Sequence, residues 1–307
     1  MPHFSPPFRV GLIITEQCDA NCAHCWFDCS PGKGATMSKY DAQNYINKAS
    51  RVPSIKWISL TGGEPMLHPS LVEDLIAYAF GQGFKTELVT NCSWAVTPEK
   101  ASGILKRLSD AGLGVLNIST DDFHQSTIPF ERVRNSYEAA KRLGIRMVIM
   151  TTLSKSSKLR LMDVARFLGD EIPPPGAAVA GKHAAMGVES GFTPVGRGAS
   201  ISRQEWHIDG SQLVGGCESV LRDIGVKPNG DVLPCCSASA SLQGFSPGNL
   251  DDWCLEKLLD RAWESHIFKV LRNRGPTGLL KKPTSGIYVN RCHLCSEVLR
   301  PIFGSTS

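Results

Sequence analysis

Short apolar runs alternate with longer amphipathic segments through the first two thirds of the chain. The apolar runs are rich in β-branched residues and lack helical periodicity, as buried parallel strands do. They occupy residues 8–15, 55–60, 84–90, 114–119 and 145–151, and helical patterns follow at about 39–51, 69–81, 98–111, 130–143 and 158–168. This alternation predicts an α/β fold built on a parallel sheet.

Local signals sharpen the ends of these elements. Ser38 precedes the first helical pattern and is expected to be its N-cap. Gly144 follows the helical pattern at 130–143 and suits the C′ position, just past the end of a helix. A Pro-Pro-Pro-Gly loop at 173–176 leads to a sixth strand that we expect within residues 177–190. Five βα units are clear, and the sequence does not show eight.

The pattern changes after about residue 205, where cysteines become more frequent. Residues 217–236 predict a hairpin with its turn at 228–231. Residues 252–274 predict one amphipathic helix. We therefore expect two units, covering residues 8–204 and 205–307.

Composition and charge exclude several classes of protein. The chain has 307 residues, 42% hydrophobic and 20% charged, with a net charge of +4 and no dense basic run. These values are ordinary for a globular protein and predict no nucleic-acid partner. No apolar stretch is long enough to span a bilayer, and the N-terminus lacks a signal core, so a cytoplasmic protein without a membrane partner is expected. Eleven cysteines then indicate metal or redox chemistry rather than disulfides.

A compact cysteine motif follows the first predicted strand. Cys18, Cys22 and Cys25 have the spacing Cys-x3-Cys-x2-Cys, which brings three thiolates to one soft metal centre. Three ligands leave one iron of a [4Fe–4S] cube free to bind a small molecule. The alternative is a structural zinc ion with His24 as its fourth ligand.

Two further motifs lie at the ends of predicted strands. The turn Gly62-Gly63-Glu64 follows the second strand, where glycines let a ligand approach the backbone and a carboxylate can bind an ammonium group. After the fourth strand, Ser119 suits a ribose or carboxylate contact. Asp121 and His124 are either substrate contacts or part of a helix cap.

Together these motifs resemble the radical S-adenosylmethionine (SAM) superfamily. The resemblance implies a partial (β/α)6 TIM-like barrel in which a [4Fe–4S] cluster and SAM generate a 5′-deoxyadenosyl radical. It implies that the cluster binds Cys18, Cys22 and Cys25. Contacts to the cofactor are expected from His24, Gly62, Gly63, Glu64 and Ser119.

The C-terminal cysteines suggest a second metal site. Cys217, Cys235, Cys292 and Cys295 can complete a closed four-thiolate site, which would also suit a zinc ribbon. The arrangement resembles the twitch module, a shortened SPASM module that holds an auxiliary [4Fe–4S] cluster. The segment 193–197 resembles the Pro-x-Gly-Arg stretch of those enzymes, and Arg197 is a candidate substrate contact.

Cys236 directly follows one of these predicted ligands. Neighbouring side chains of an extended chain point in opposite directions, so Cys236 could face the substrate and donate a hydrogen atom. The Pro-Cys-Cys-Ser string and the other motifs resemble the epipeptide-type peptide epimerases, in which the second cysteine is the donor. The alternatives are a small buried residue or a ligand exchanged with Cys235. Cys29 is a second candidate donor, while Cys92 and Cys254 are expected in the core.

Four functions remain open on the sequence. The first is a radical SAM enzyme that modifies a ribosomal peptide (RiPP precursor) by Cα–H abstraction and L-to-D epimerisation. The second and third are oxidative: dehydrogenation of a small-molecule alcohol, or peptide cross-linking. The fourth is a zinc-stabilised binding protein. A radical SAM enzyme implies an electron donor such as flavodoxin or ferredoxin. The first strand begins near residue 8, so a peptide would be held by the barrel mouth or a separate protein, and no cobalamin domain precedes it.

Overall fold

The computed structural model describes residues 6–32, 34–177, 184–208, 213–237, 242, 244–280 and 286–304. Its first part contains β1 (Arg9–Thr15), α1 (Lys39–Ser50), β2 (Trp57–Gly62), α2 (Pro69–Gly81), β3 (Lys85–Thr90), α3 (Pro98–Asp110), β4 (Val115–Ser119), α4 (Asp122–Gln125), α5 (Phe130–Arg142), β5 (Arg146–Leu153), α6 (Leu161–Leu168) and β6 (Ala185–Gly191). The C-terminal part contains β7 (Asp223–Val226), β8 (Val232–Leu233), α7 (Leu255–Glu264), α8 (His266–Arg274) and α9 (Arg291–Phe303). Among the described residues, no helix combines the length and apolar content needed to cross a bilayer.

One sheet runs through the molecule in the order β6-β5-β4-β3-β2-β1-β7-β8. Strands β1 to β6 pair in parallel with their neighbours, which confirms the predicted α/β fold. The sixth strand lies at the end of its predicted window; residues 178–183 of that window lie outside the described residues. Parallel pairing places the carboxyl ends of these strands along one edge of the sheet, where α/β proteins bind ligands.

The local signals at the helix ends have the predicted effect. The Ser38 side chain accepts a hydrogen bond from the Asp41 backbone N–H, so it caps α1. Gly144 follows α5 with a φ of 69°, a left-handed conformation that glycine adopts without steric penalty. Both signals fix where a helix meets the strand beside it, and so where each strand enters the sheet.

The C-terminal hairpin continues the same sheet. Strand β7 pairs in parallel with β1, aligning Arg9 with Asp223, and β8 pairs antiparallel with β7. The predicted turn at 228–231 lies between these two strands. Apolar residues after 205, including Ile224 and Leu258, belong to the same buried cluster as Leu12 of β1. The two parts of the chain therefore share one core.

The prediction of one helix over 252–274 is wrong. The structure has two helices, α7 and α8, separated at Ser265, whose ψ of 130° is extended. The break lets the two helices bury their apolar faces in different places. Leu258 of α7 joins the main core, while Phe268 and Leu271 of α8 join a second cluster with Leu299 of α9. Ala262, near the end of α7, also belongs to the second cluster, so the chain passes from one cluster to the other within α7.

Candidate functional site

A cavity of about 490 Å³ lies at the carboxyl ends of the parallel strands. The cysteine loop after β1, the turn after β2 and the ends of β3 to β5 line it, together with residues next to β7 and β8. It brings together most of the predicted site residues: Cys18, Cys22, His24, Cys25, Gly62, Gly63, Ser119, His124, Arg197, Cys235 and Cys236. Residues spread over more than 200 positions of sequence thus face one space.

Main-chain hydrogen bonds hold the cysteine loop in a fixed shape. The Cys25 N–H donates to the Cys22 carbonyl at 3.2 Å, and the Cys18 N–H donates to the Ser30 carbonyl at 3.3 Å. Burial raises the pKa of both Cys18 and Cys22 to about 12. The Cys29 thiol, which donates toward Cys25, lowers the pKa of Cys25 to about 6. Because a metal ligand must be the thiolate, metal binding at Cys18 and Cys22 would have to release the protons that burial makes these thiols retain.

The cysteines offer thiolates for two kinds of metal centre. A tetrahedral zinc ion binds its four ligands at one point, with Zn–S bonds of about 2.3 Å. In a four-iron cube each thiolate binds a different iron. A separate group of possible ligands, His24, Asp121 and His124, has its ligand atoms within 4.8 Å of one another among the described residues.

The Gly-Gly turn lets β2 approach the cysteine loop closely. The Gly63 N–H donates to the Thr15 carbonyl at 2.7 Å, and the Glu64 N–H donates to the Gln17 carbonyl at 2.8 Å. A Cβ added at Gly63 would lie 1.9 Å from the Gln17 carbonyl oxygen. Glycine is therefore required here by contact between two backbones, and the turn still lines the cavity.

Glu64 has a different environment from the one expected. Its side chain is fully buried and accepts hydrogen bonds from Met66 N at 3.0 Å, Thr90 Oγ1 at 2.9 Å and Asn91 N at 2.8 Å. Burial raises the pKa of Glu64 to about 7. The carboxyl group does not line the cavity; it joins the turn after β2 to the end of β3.

Asp121 and His124 form a buried pair, and Asp121 has the role of a helix cap. Asp121 Oδ1 accepts from both the backbone N–H and Nδ1 of His124, each at 2.9 Å, and Oδ2 accepts from Thr152 N at 3.2 Å. Burial alone would raise the pKa of Asp121, but His124 holds it below its ordinary value. His124 lines the cavity, whereas Asp121 does not.

His24 lies against this pair. Its ring stacks on Phe123 at 4.5 Å and meets the His124 ring edge-on at 5.1 Å. Burial lowers the pKa of His24 to about 4, so the ring is neutral. His24 Nδ1 is buried without a hydrogen-bond partner among the described residues. A neutral ring beside the cysteine loop suits contact with a flat, uncharged group better than with an anion.

Arg197 braces the cysteine loop. Its Nε donates to the Cys22 carbonyl at 3.0 Å, one terminal nitrogen donates to the Cys29 carbonyl at 2.8 Å, and the other forms a 2.8 Å ion pair with Asp28. The Arg197 backbone N–H also donates to the Cys25 carbonyl at 3.0 Å. All three guanidinium nitrogens of Arg197 thus bond to the cysteine loop.

A second, smaller cavity collects the C-terminal cysteines. It has a volume of about 80 Å³, and Cys217, Cys235, Cys292 and Cys295 all line it. Cys292 and Cys295 lie on α9, which the sequence did not predict as a helix. Cys236 does not line this cavity but faces the large one. Cys235 lines both cavities, whereas Cys236 lines only the large one.

The remaining cysteines are divided between the site and the core. Cys29 is buried yet contributes to the wall of the large cavity, beside Cys25. Cys92 is fully buried in the main core, and Cys254 is the residue that precedes α7. Neither Cys92 nor Cys254 lines either cavity.

Several residues of the large cavity were not found from the sequence. Arg9 forms ion pairs with Glu87 at 2.7 Å and Asp223 at 3.2 Å, and all three side chains line the wall near Cys236. No local pattern joins residues so distant in the chain. Asn91 follows β3 directly and also lines the cavity. The rule that strand ends carry functional side chains could have identified it.

Comparison with known proteins finds a family model and relatives that are similar to this chain in sequence. The model of the Radical SAM superfamily matches residues 12–168. The putative peptide biosynthesis protein YydG of Bacillus subtilis (strain 168) is 23% identical over 274 residues, which cover 87% of this chain and 81% of that protein. An S-adenosylmethionine-dependent nucleotide dehydratase of Selenomonas ruminantium is 26% identical over 121 residues, covering 39% of this chain and 42% of that protein.

Solved structures share the fold at low identity. Streptococcus suis SuiB bound to its precursor peptide SuiA superposes with a TM-score of 0.64 and 14% identity, covering 93% of this chain and 72% of SuiB. The enzyme anSMEcpe, solved with AdoMet and the Cp18Cys peptide, gives a TM-score of 0.60 and 12% identity, covering 96% of each chain. The family model spans half of the sequence, and the three-cysteine loop lies at the ends of the parallel strands. This chain therefore belongs to the radical SAM superfamily.

Proposed function

We propose that this enzyme modifies a ribosomally made peptide by taking the hydrogen from one Cα and adding a different hydrogen, from a cysteine thiol, to the opposite face, so that an L residue becomes D. The observation that carries the proposal is the placement of Cys236. Its side chain lines the large cavity with the cysteine loop, while its neighbour Cys235 also lines the cavity of the other three C-terminal cysteines. A thiol between the two sites is positioned to meet a substrate radical.

The comparisons support a peptide as the substrate. YydG is named as a putative peptide biosynthesis protein, and its similarity extends over most of both chains. SuiB and anSMEcpe, which share the fold, were each solved with a peptide bound. A cavity of about 490 Å³ admits a single residue with its flanking backbone more readily than a folded partner.

The cysteine loop and the strand ends would hold the cofactors. Cys18, Cys22 and Cys25 would bind a [4Fe–4S] cluster, which together with SAM supplies a 5′-deoxyadenosyl radical when both are bound. Gly62, Gly63, Ser119 and His24 line the adjacent wall and would bind SAM. Glu64 would act indirectly, through the hydrogen bonds that join the turn to β3.

Cys236 has the protonation state that a hydrogen-atom donor needs. Burial raises its pKa to about 12, so the side chain is a thiol near neutral pH and keeps the hydrogen that a thiolate lacks. Donation breaks the S–H bond, forms the new Cα–H bond and leaves a sulfur radical. One electron from a small electron-transfer protein of the flavodoxin or ferredoxin class, with one proton from solvent, restores the thiol.

The second cavity would supply the route for that electron. Cys217, Cys235, Cys292 and Cys295 would hold an auxiliary [4Fe–4S] cluster, and Cys235, Ser219 and Ser237 line both cavities. The same shared wall favours one alternative: a substrate radical could lose its electron through it, which would make the enzyme oxidative. Dehydrogenation or cross-linking would then replace epimerisation.

Replacing the proposed donor tests the function. Cys236→Ala should still form 5′-deoxyadenosine from SAM with the precursor peptide, but should yield no peptide with an inverted residue, because the peptide radical lacks its donor. The measurement is chiral amino-acid analysis of the hydrolysed peptide beside quantification of 5′-deoxyadenosine.

Cys254→Ala is the matched control, since Cys254 lines neither cavity. It should retain both products and the same iron content as the unaltered enzyme. Inverted residues produced at the normal rate by Cys236→Ala would show that the donor is another group, and would overturn the assignment.

A further inference from the structure

Asn91 is a buried side chain at the end of β3 that reaches the cysteine loop. Only 5% of the residue is exposed. Its backbone N–H donates to Glu64 Oε2 at 2.8 Å, and the preceding Thr90 hydroxyl donates to Glu64 Oε1 at 2.9 Å. The fully buried Glu64 carboxyl group thereby fixes the position of the Asn91 backbone.

The orientation of the Asn91 amide follows from its neighbours. The backbone N–H of Ser93 donates to Asn91 Oδ1 at 2.8 Å. A backbone N–H can only donate, so the amide oxygen must face Ser93 and the NH₂ group must face the other way. Only one orientation of the Asn91 amide can make this hydrogen bond.

The NH₂ group has two hydrogens and two acceptors. Asn91 Nδ2 lies 3.0 Å from Asp19 Oδ1 and 3.7 Å from Cys18 Sγ, both on the cysteine loop. The Ala20 backbone N–H also donates to the same sulfur at 3.4 Å. Both N–H groups of the amide are therefore directed at the cysteine loop, while the oxygen accepts one hydrogen bond from the backbone.

We infer that Asn91 is a positioning residue that sets the reduction potential of the iron–sulfur cluster through its hydrogen bond to the Cys18 sulfur. An N–H donor draws negative charge from a coordinated thiolate, which favours the cluster that has gained an electron. The inference rests on Cys18 being a cluster ligand, as proposed above, and holds whichever reaction the radical performs.

Potentiometric titration of Asn91→Ala with dithionite, followed by electron paramagnetic resonance, tests the inference. The signal to follow is the one that changes when SAM is added, which distinguishes the loop cluster from any other. Its potential should become more negative, with about a tenfold lower ratio of reduced to oxidised cluster at a fixed solution potential, or about 59 mV for one electron. Asn91→Leu, which has a similar size but neither a donor nor a charge, should shift the potential in the same direction.

Asn135→Ala is the matched control. Asn135 is also a buried asparagine, and its Nδ2 donates to the Ala95 carbonyl in the same loop after β3, but it makes no contact with Cys18. The reduction potential of the loop cluster in Asn135→Ala should equal that of the unaltered protein. A Cys18→Ala variant should lose the SAM-responsive signal; if it keeps that signal, the proposed ligation fails rather than the inference about Asn91.

Two results would overturn the role of Asn91. An unchanged potential in both Asn91 variants would show that the hydrogen bond does not affect the cluster. Loss of iron from both variants, with iron retained by Asn135→Ala, would show that Asn91 only holds the loop in place.

Discussion

At the scale of single residues, Gly11 on β1 and Cys236 make the contact on which the proposed chemistry depends. A Cβ added at Gly11 would lie 2.9 Å from Cys236 Sγ, closer than side-chain carbons normally approach. The glycine thus provides the room in which the thiol lies against the sheet and faces the cavity. Its role is steric, since its backbone has no unusual φ.

Gly11→Ala should displace the thiol while leaving the cysteine loop intact. We expect about a tenfold loss of inverted peptide, because moving a reacting group by about 1 Å can cost roughly 10²-fold in rate. Formation of 5′-deoxyadenosine should be unchanged. Gly225→Ala on the neighbouring strand, where the added Cβ would meet the Leu233 side chain at 3.2 Å, is the control. Equal losses of both products in Gly11→Ala would argue against a specific effect on Cys236.

The residues that could be predicted are those whose chemistry is encoded by local spacing. The three cysteines of the loop and the Gly-Gly turn are visible in the sequence alone, whereas the roles of Cys235 and Cys236 stayed open there. Arg197 and Glu64 were identified as site residues, but not the hydrogen bonds that occupy them. Those bonds connect segments far apart in the chain, such as Arg197 with Cys22, and no local pattern encodes them.

At the scale of elements, the short helix α4 shows how a cap and an ion pair coincide. Asp121 caps α4 by accepting from the His124 backbone and also pairs with its ring. Burial alone would lower the pKa of His124, but Asp121 raises it above the ordinary value of 6.5. The pair therefore stabilises the corner after β4 most when His124 is charged.

Stability should depend on pH through this pair. A raised folded-state pKa means that the contribution of His124 is complete below about pH 6.5 and is lost as the pH rises through the folded value. The stability of the cluster-free protein should therefore exceed that of His124→Asn by more at pH 5.5 than at pH 9, as measured by urea unfolding. Asparagine keeps a neutral donor, so the comparison isolates the charge. A difference that does not vary with pH would contradict the charged pair.

Elements with a clear period were predictable, and those shaped by distant packing were not. Strands β1 to β5 and the cap of α1 follow from alternation and from Ser38, and β6 lies at the end of its predicted window. The break at Ser265 does not, because apolar residues recur with helical spacing on both sides of it. Helix α9 was missed because its first two turns carry Cys292 and Cys295, which were assigned to a metal site and not to a helical pattern.

At the scale of the whole molecule, a single sheet joins the two chemical sites. Strand β7 adds directly to β1, and the ion pair of Arg9 with Asp223 crosses that junction, while Glu87 of β3 pairs with Arg9 from the other side. The large and small cavities share Cys235 in their walls. The sequence predicted both sets of cysteines, but the sharing of one wall by the two cavities could be known only from the fold.

The most direct measurement is turnover of the precursor peptide in deuterated water, read by mass spectrometry and chiral analysis. The Cys236 thiol exchanges its hydrogen with solvent, so we predict one deuterium at the inverted Cα for each 5′-deoxyadenosine formed, with no other change in peptide mass. The 5′-deoxyadenosine should carry the hydrogen taken from the peptide. A product that has lost two hydrogens and gained no deuterium would contradict epimerisation and would favour the oxidative route through the second cavity.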